Sequence, residues 1–337
     1  MLRPMSARRI LVIRVGGLGD SLLLWPGLAA VRRREPGAIL ELLGHRARLE
    51  LLVGPGGADR ALEVEGSGLH HLFAPEAAPP AEVRARFGAY DVIVAFTAAG
   101  DCALAENLAA CGAGEVHAFL PLPPPGVHAA LHALEAFAQA GLAPPGRPAR
   151  PPRLPAPPGA AERGRARLAA AGLAPERAAL LAPGAGSAVK CWPAERFVAL
   201  AGLLAADGWR PAWCGGPADA APLAAVRDAG GGAWPSLADA APAELRELLL
   251  AGALFVGNDS GPTHLAALLG RPTLALFGPT DPAAWGPLGE RVARVHGRAA
   301  CAPCDAGRRE VCPGERCFEG LTPERALAAA RGLAAPG

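Results

Sequence analysis

The sequence predicts two doubly wound α/β domains, each built on a parallel sheet covered by helices. Short apolar runs of strand length, such as residues 10–13, alternate along the chain with segments of helical length. These runs lack the apolar–polar alternation of half-exposed strands, which is typical of parallel strands buried on both faces. The alternation occurs twice, before and after a proline-rich segment, so two domains are expected.

The N-terminal domain is predicted to span residues 1–150. A strand over residues 9–15 comes first, a glycine-rich turn at residues 16–20 follows, and a helix over residues 21–34 ends before Pro36 and Gly37. Further strands are predicted at residues 38–43 and 91–96, and further helices at residues 46–53, 101–111 and 127–140.

A proline-rich linker over residues 142–159 is predicted to separate the domains. It holds eight prolines between Pro144 and Pro158, a composition that disfavours both helix and sheet. The C-terminal domain, residues 151–337, repeats the alternation. Its predicted strands are residues 178–182, 210–214, 253–256, 273–277 and 292–296, and its predicted helices are residues 161–171, 194–206, 242–251, 260–269 and 323–333.

Charge and hydropathy exclude several classes of protein. The net charge of +2 carries no strong nucleic-acid signature, and no segment approaches the roughly 18 apolar residues of a membrane span. We therefore expect a cytoplasmic protein, at most peripheral to the inner face of the cytoplasmic membrane. Residues 1–48 hold nine arginines and three acids, with Arg32, Arg33 and Arg34 the densest group. This group is either a solvated helix end or a face for an anionic acceptor or an anionic membrane surface.

Polar and glycine residues cluster in loops that follow predicted strands. The loop at residues 257–261 leads into a helix, where Ser260 is a candidate cap and Pro262 lies in the first turn. Free backbone N–H groups and the helix dipole favour phosphate at such a position. A second polar loop, at residues 278–281, follows the next strand on the same sheet edge. An ordinary βα turn is the alternative for the first loop.

Two single residues stand out within such loops. Lys190 is the one lysine among 33 basic residues, and it follows the predicted strand at residues 178–182. Its compact ammonium can neutralise a diphosphate, and an ordinary surface lysine is the alternative. Asp20 closes the turn Gly17-Leu18-Gly19-Asp20, where Leu22 occupies the third glycine position of a dinucleotide fingerprint. This argues against NAD, and it leaves Asp20 as a helix cap or as a general base.

Three stretches resemble one known family. IRVGGLGDSLLLWPGLAAVR, APGAGSAVKCWPAERF and GNDSGPTHLAALLGRPTLALFGPTDPAAWGP lie in this order and span nearly the whole chain. They resemble the ADP-heptose:lipopolysaccharide heptosyltransferases, glycosyltransferase family 9. The resemblance implies a GT-B fold, with two Rossmann-like domains that face each other across a cleft, the acceptor bound by the N-terminal domain and the donor by the C-terminal one.

The resemblance also implies roles for individual residues. Asp20 would be the general base, and Gly17 and Gly19 would let the acceptor sugar approach the backbone. Lys190 would stabilise the departing ADP, and Arg32, Arg33 and Arg34 would contact the acceptor. The donor-binding residues would be Gly186, Ser187, Lys190, Asn258, Asp259, Ser260, Gly261, Pro262, Thr263, His264, Thr280 and Asp281.

The resulting function is inverting, metal-independent transfer of a heptose from ADP-heptose to the lipid A-core acceptor, the lipopolysaccharide inner core, without a required cofactor. Three alternatives stay open: a glycosyltransferase of the same fold with another nucleotide-sugar, a nicotinamide oxidoreductase, and a non-catalytic zinc-containing interaction protein.

Four cysteines gather near the C-terminus, in the loop at residues 301–317. Their order is Cys301-x2-Cys304-x7-Cys312-x4-Cys317, a spacing that suits a tetrahedral structural zinc site with no open position. Four reduced thiols or a disulfide pair are the alternatives, and a cytoplasmic location disfavours disulfides.

Overall fold

The computed structural model describes residues 7–74, 78–97, 102–304 and 316–334. The chain divides into two compact units, Met1–Pro152 and Arg153–Gly337. The division falls inside the proline-rich segment, which contains neither helix nor strand between residues 140 and 159. None of the helices among the described residues is long and apolar enough to cross a bilayer.

The first unit is a parallel five-stranded sheet with the strand order β3-β2-β1-β4-β5. Its central strand β1 pairs with β2 and β4, so that Ile10 lies opposite both Leu40 and Val92. The elements in chain order are β1 (Arg9–Arg14), α1 (Leu18–Leu22), α2 (Trp25–Arg34), β2 (Ile39–Gly44), α3 (Arg46–Leu49), β3 (Arg60–Glu63), α4 (Ala81–Phe87), β4 (Val92–Phe96), α5 (Cys102–Ala110), β5 (Glu115–Phe119) and α6 (Ala129–Gln139).

The predicted helix over residues 21–34 is wrong as a single element. The structure has a short helix α1 that already begins at Leu18, and a second helix α2 that begins at Trp25. Pro26 lies in the first turn of α2, where its missing N–H is tolerated, whereas inside one long helix it would remove a hydrogen bond and clash with the preceding turn. The break therefore follows from the proline.

The second unit is a parallel six-stranded sheet with the order β11-β10-β9-β6-β7-β8. Its core contains two fully buried tryptophans, Trp192 and Trp213. The elements are α7 (Ala160–Ala170), β6 (Ala178–Ala182), α8 (Ala194–Ala206), β7 (Arg210–Cys214), α9 (Ala220–Asp228), β8 (Ser236–Leu237), α10 (Pro242–Ala251), β9 (Leu254–Asn258), α11 (Gly261–Leu268), β10 (Thr273–Phe277), α12 (Pro282–Trp285), β11 (Val292–His296) and α13 (Pro323–Ala334).

Both sheets contain the strand-order reversal of the Rossmann topology. Numbered within each unit, the strand orders are 3-2-1-4-5 and 3-2-1-4-5-6, so the first strand lies beside the fourth. At such a switch point the flanking connections run to opposite faces, and a crevice opens at the carboxyl ends of the two strands. The loops that follow β1 and β4, and those that follow β6 and β9, are therefore the positions where ligands are expected.

Candidate active site

Asp20 lies in α1, just beyond the carboxyl end of β1, and both of its carboxylate oxygens are engaged. Oδ2 accepts a hydrogen bond from the Gly17 N–H over 2.9 Å, and Oδ1 accepts one from the Arg14 guanidinium over 2.8 Å. Gly17 is the N-cap residue of α1, so Asp20 does cap this helix. Its side chain keeps 33% of its surface exposed, which leaves lone pairs available to a substrate hydroxyl. The role of general base stays a prediction.

The arginine group at the end of α2 lies at the other edge of the same sheet. Arg32 donates to the carbonyl of Ala38, just before β2, over 2.7 Å, and forms an ion pair with Asp59 over 2.6 Å. Arg34 donates to the carbonyl of Gly141 over 3.0 Å, and Arg33 is exposed. Arg32 and Arg34 therefore hold neighbouring segments of their own unit, and the group does not lie with Asp20 at the carboxyl edge.

Asn258, at the end of β9, fastens the loop that follows β6. Its side-chain oxygen accepts from the backbone N–H of Trp192 over 3.0 Å, and its amide nitrogen donates to the carbonyls of Pro183 (2.8 Å) and Gly184 (3.2 Å). The residue is fully buried. Asn258 thus fixes the shape of the loop that carries Gly186, Ser187 and Lys190, and these three bonds occupy its side chain.

Lys190 meets Asp259 at the switch point between β6 and β9. The Lys190 ammonium lies 2.8 Å from Asp259 Oδ2 and 3.3 Å from the Asp259 carbonyl oxygen. Thr280 donates to the same Oδ2 over 2.8 Å, and His264 Nε2 lies 3.8 Å from Oδ1, an ion-pair distance too long for a direct hydrogen bond. Asp259 is 5% exposed and Lys190 is 22% exposed, so the ammonium is the more accessible charge.

The ionised form of Asp259 is stabilised by these neighbours. Burial on its own would raise the pKa of the carboxyl, but the interactions with His264 and Lys190 outweigh burial and lower the pKa to about 2. Asp259 is therefore the counter-ion of Lys190. An ammonium has three donors, and two are directed at Asp259, which leaves one for a ligand.

Helix α11 begins beside this ion pair. Ser260 is its N-cap residue as predicted, but the Ser260 hydroxyl lies 3.2 Å from the hydroxyl of Thr263 and makes no side-chain bond to a first-turn N–H. Pro262 lies in the first turn, as predicted. The first-turn amides of Gly261 and Thr263 have no intrahelical acceptor. The N-terminal end of α11 therefore offers free N–H groups and the positive end of the helix dipole to an anion.

Thr280 and Asp281, which follow β10, have structural partners. Thr280 is buried and bonds Asp259, whereas Asp281 is the N-cap of α12 and accepts from the Ala283 N–H over 2.8 Å. Their predicted contacts with a donor sugar stay predictions.

A cavity of about 520 Å³ adjoins the loop that carries Lys190, a volume typical of small-ligand sites. It lies between residues 183–194 and helix α9, and small apolar residues such as Ala221 and Pro222 line it with Gly186 and Ser187. This cavity lies at the same carboxyl edge of the sheet as Lys190, Asp259 and the start of α11. The segments that form it and those that carry these groups follow the carboxyl ends of β6, β7 and β9.

Asp219, beside this cavity, is a candidate that the sequence reasoning missed. It follows β7 and accepts from the Gly216 N–H over 2.8 Å. Gly184 and Gly215 lie so close that a Cβ at either position would meet the Asp219 side chain. Burial raises the pKa of this carboxyl. The signal was available in the sequence, because an acidic residue after the second strand of a Rossmann-type sheet is a ribose-binding pattern.

The cysteine-rich segment is described in part. Cys301 is exposed and Cys317 is buried in the core beside Phe318. Cys312 lies outside the described residues, so the predicted four-cysteine zinc site stays a prediction. Within the described ranges, His45, Glu63 and Glu65 bring one ligand atom each within 4.8 Å of one another, but exposed carboxylates often gather in this way and we assign no ion to them.

Comparisons with known proteins identify the class and then the family. A crystal structure of a family 9 glycosyl transferase from Veillonella parvula superimposes with a TM-score of 0.77 at 18% identity, over 98% of this chain and 98% of that chain. E. coli ADP-heptose LPS heptosyltransferase II gives 0.75 at 20% identity, over 97% of this chain and 98% of that chain. At these identities the likeness concerns the fold, which is GT-B with two Rossmann-like units.

The family follows from the sequence. The family model described as glycosyltransferase family 9 (heptosyltransferase) matches residues 128–312, which is more than half of the chain. The chain belongs to this family. Lipooligosaccharide heptosyltransferase 2 of Campylobacter jejuni is 39% identical over 83 residues, which are 24% of this chain and 25% of that relative. The alignment thus spans about a quarter of the relative's length.

Proposed function

We propose that this protein is an inverting glycosyltransferase that transfers a heptose from ADP-heptose to the core of lipopolysaccharide. One observation carries the proposal: a partly exposed ammonium, Lys190, is fixed at a Rossmann switch point, beside the first turn of α11 and a cavity of about 520 Å³. An anchored cation, free helix amides and an adjoining cavity of this size fit a nucleoside diphosphate. Membership of family 9 supports the sugar and the acceptor.

In this proposal the second unit binds the donor. The diphosphate would accept hydrogen bonds from Lys190 and from the first-turn amides of α11, and the nucleoside would occupy the cavity beside Gly186 and Ser187. Asp219 would accept hydrogen bonds from ribose hydroxyls, because it follows the second strand of the sheet. Asp259 would hold the ammonium in place and would not contact the phosphates.

Asp20 of the first unit would activate the acceptor. The acceptor hydroxyl oxygen attacks the anomeric carbon, the bond from that carbon to the diphosphate breaks, and the hydroxyl proton moves to the Asp20 carboxylate. A single displacement of this kind inverts the anomeric centre. The ADP that leaves takes the bonding electron pair, and Lys190 and the helix amides stabilise its charge, so the proposed chemistry needs no metal.

A transfer assay that compares the wild type with Asp20→Asn tests the proposal. Purified protein is incubated with ADP-heptose and a heptose-deficient lipopolysaccharide core, and product and ADP are quantified. Asp20→Asn should reduce turnover on the order of 100-fold, with ADP affinity unchanged, because it removes only the base. Equal turnover in Asp20→Asn would contradict the role of Asp20, and no transfer by the wild type with any core acceptor would contradict the function.

Nucleotide choice is tested separately. A ligand that binds the folded state raises the melting temperature, so ADP should stabilise the protein more than UDP, GDP or CMP. Stabilisation by another nucleotide would favour the alternative donor, and stabilisation by NADH would favour the oxidoreductase. A cytoplasmic location with peripheral attachment to an anionic membrane stays a prediction.

A further inference from the structure

Arg14 is a buried charge at the end of the central strand of the first unit. It is the last residue of β1, after four apolar residues, and only 6% of its surface is exposed. Removing a guanidinium from water costs several kcal/mol unless partners replace the lost solvent. An apolar residue would suit this position in the core better, so the contacts of Arg14 call for an explanation.

Two elements hold the Arg14 guanidinium against Asp20. Nη2 donates to Asp20 Oδ1 over 2.8 Å, and Nη1 donates to the carbonyl of Pro121, just after β5, over 3.0 Å. The guanidinium carbon lies 5.4 Å from the centre of the Phe96 ring, at the end of β4. Among the described residues, the buried Nε has no hydrogen-bond partner. Arg14 is thus fixed from two strands and points one N–H at Asp20.

We propose that Arg14 is a positioning residue that orients the Asp20 carboxylate for proton abstraction, an inference that rests on the proposed function. The two anchors act on different oxygens: Arg14 holds Oδ1, and the Gly17 N–H holds Oδ2. With both oxygens fixed, the carboxylate can rotate little, and the remaining lone pairs keep one direction.

Other charged groups lie near this loop without contacting the carboxylate. Arg48 of α3 donates to the Gly16 carbonyl over 2.6 Å, and His132 of α6 contacts the Leu120 carbonyl over 2.8 Å. Within the described part of the chain, Arg14 is the residue at ion-pair distance from Asp20. Burial lowers the pKa of the Arg14 guanidinium and Asp20 opposes this shift, but an arginine stays a cation at any working pH.

Crystal structures of two variants test the inference without turnover. In Arg14→Gln the Asp20 carboxylate should leave its wild-type orientation, because the shorter, neutral side chain no longer fixes Oδ1 while the Gly17 N–H still holds Oδ2. The matched control is Arg9→Gln at the other end of β1, which removes one partner of Glu41 and should leave the Asp20 carboxylate in place.

Arg14→Lys separates charge from geometry and remains usable if Arg14→Gln does not fold. A lysine keeps the positive charge but loses the planar fork that reaches Asp20 and the Pro121 carbonyl together, so kcat should fall about tenfold with a similar KM. In Arg14→Gln, kcat should fall at least as far, whereas Arg9→Gln should keep the wild-type kcat.

An unchanged Asp20 orientation in Arg14→Gln would overturn the inference, as would full kcat in Arg14→Lys. Because the crystal structures require no substrate, an inactive wild type would refute the proposed function and would still leave the effect of Arg14 on Asp20 measurable.

Discussion

Replacing Lys190 by alanine removes the ammonium that pairs with the buried Asp259 carboxylate. The pKa of Asp259 is about 2 and its ordinary value is 3.8, a difference that corresponds to about 2 kcal/mol in favour of the folded, ionised state. Without Lys190, the interactions of Asp259 with His264 and Thr280 remain, but the buried carboxylate loses the ammonium that pairs with it. Loss of one partner of a buried ion pair costs about 3 kcal/mol or more. We therefore expect Lys190→Ala to lower the free energy of unfolding of the second unit by about 3 kcal/mol at pH 7.

The pH dependence gives a sharper test. In the wild type the pKa of Asp259 is lowered, so its stabilisation is complete above the ordinary pKa of 3.8 and disappears as the pH falls through about 2. In Lys190→Ala the pKa of Asp259 should rise, because burial is then opposed by His264 without the ammonium, so the stabilisation from Asp259 should disappear at a higher pH than in the wild type.

Urea unfolding followed by tryptophan fluorescence measures this difference. Five of the six tryptophans lie in the second unit, so the signal reports mainly on that unit. The double variant Lys190→Ala, Asp259→Asn should recover most of the lost stability, because neither charge of the pair remains. Lys190→Arg serves as the control that keeps the positive charge. Equal stability of Lys190→Ala and wild type at pH 7, or a penalty that persists in the double variant, would refute the reasoning.

Two further predictions concern the loop after β6 and the cysteine segment. Asn258→Leu should lower the free energy of unfolding by about 3 kcal/mol and weaken ADP binding, because it leaves three buried backbone groups without a partner. Calorimetric titration with ADP measures the change in affinity. Unchanged ADP affinity would show that Asn258 does not shape the site. Elemental analysis of purified protein decides the zinc site: about one zinc per chain that is lost in Cys304→Ser supports it, whereas metal-free, well-folded protein rejects it.

Much of the second unit could be predicted from the sequence. Strands β6, β7, β10 and β11 and helices α8 and α10 have their predicted bounds, because short apolar strands alternate there with longer helices. Prediction failed for weak or short segments of the first unit. The edge strands β3 and β5 carry charged residues and are partly exposed, so neither produces a continuous apolar run.

The sequence by itself determined the class of fold, the family and the loops where we propose the site. Local patterns encode these features: apolar runs set strands, glycine and proline set turns, and the isolated Lys190 lies in a recognisable motif. Partners distant in the sequence were decided only by the tertiary structure. Lys190 and Asp259 are 69 residues apart in the sequence, and Asn258 donates to the carbonyl of Pro183, which lies 75 residues before it. These pairs form because β6 and β9 are adjacent in the sheet, and strand order leaves no local trace in the sequence. The same holds for Arg14, whose contact with Pro121 depends on the packing of β1, β4 and β5.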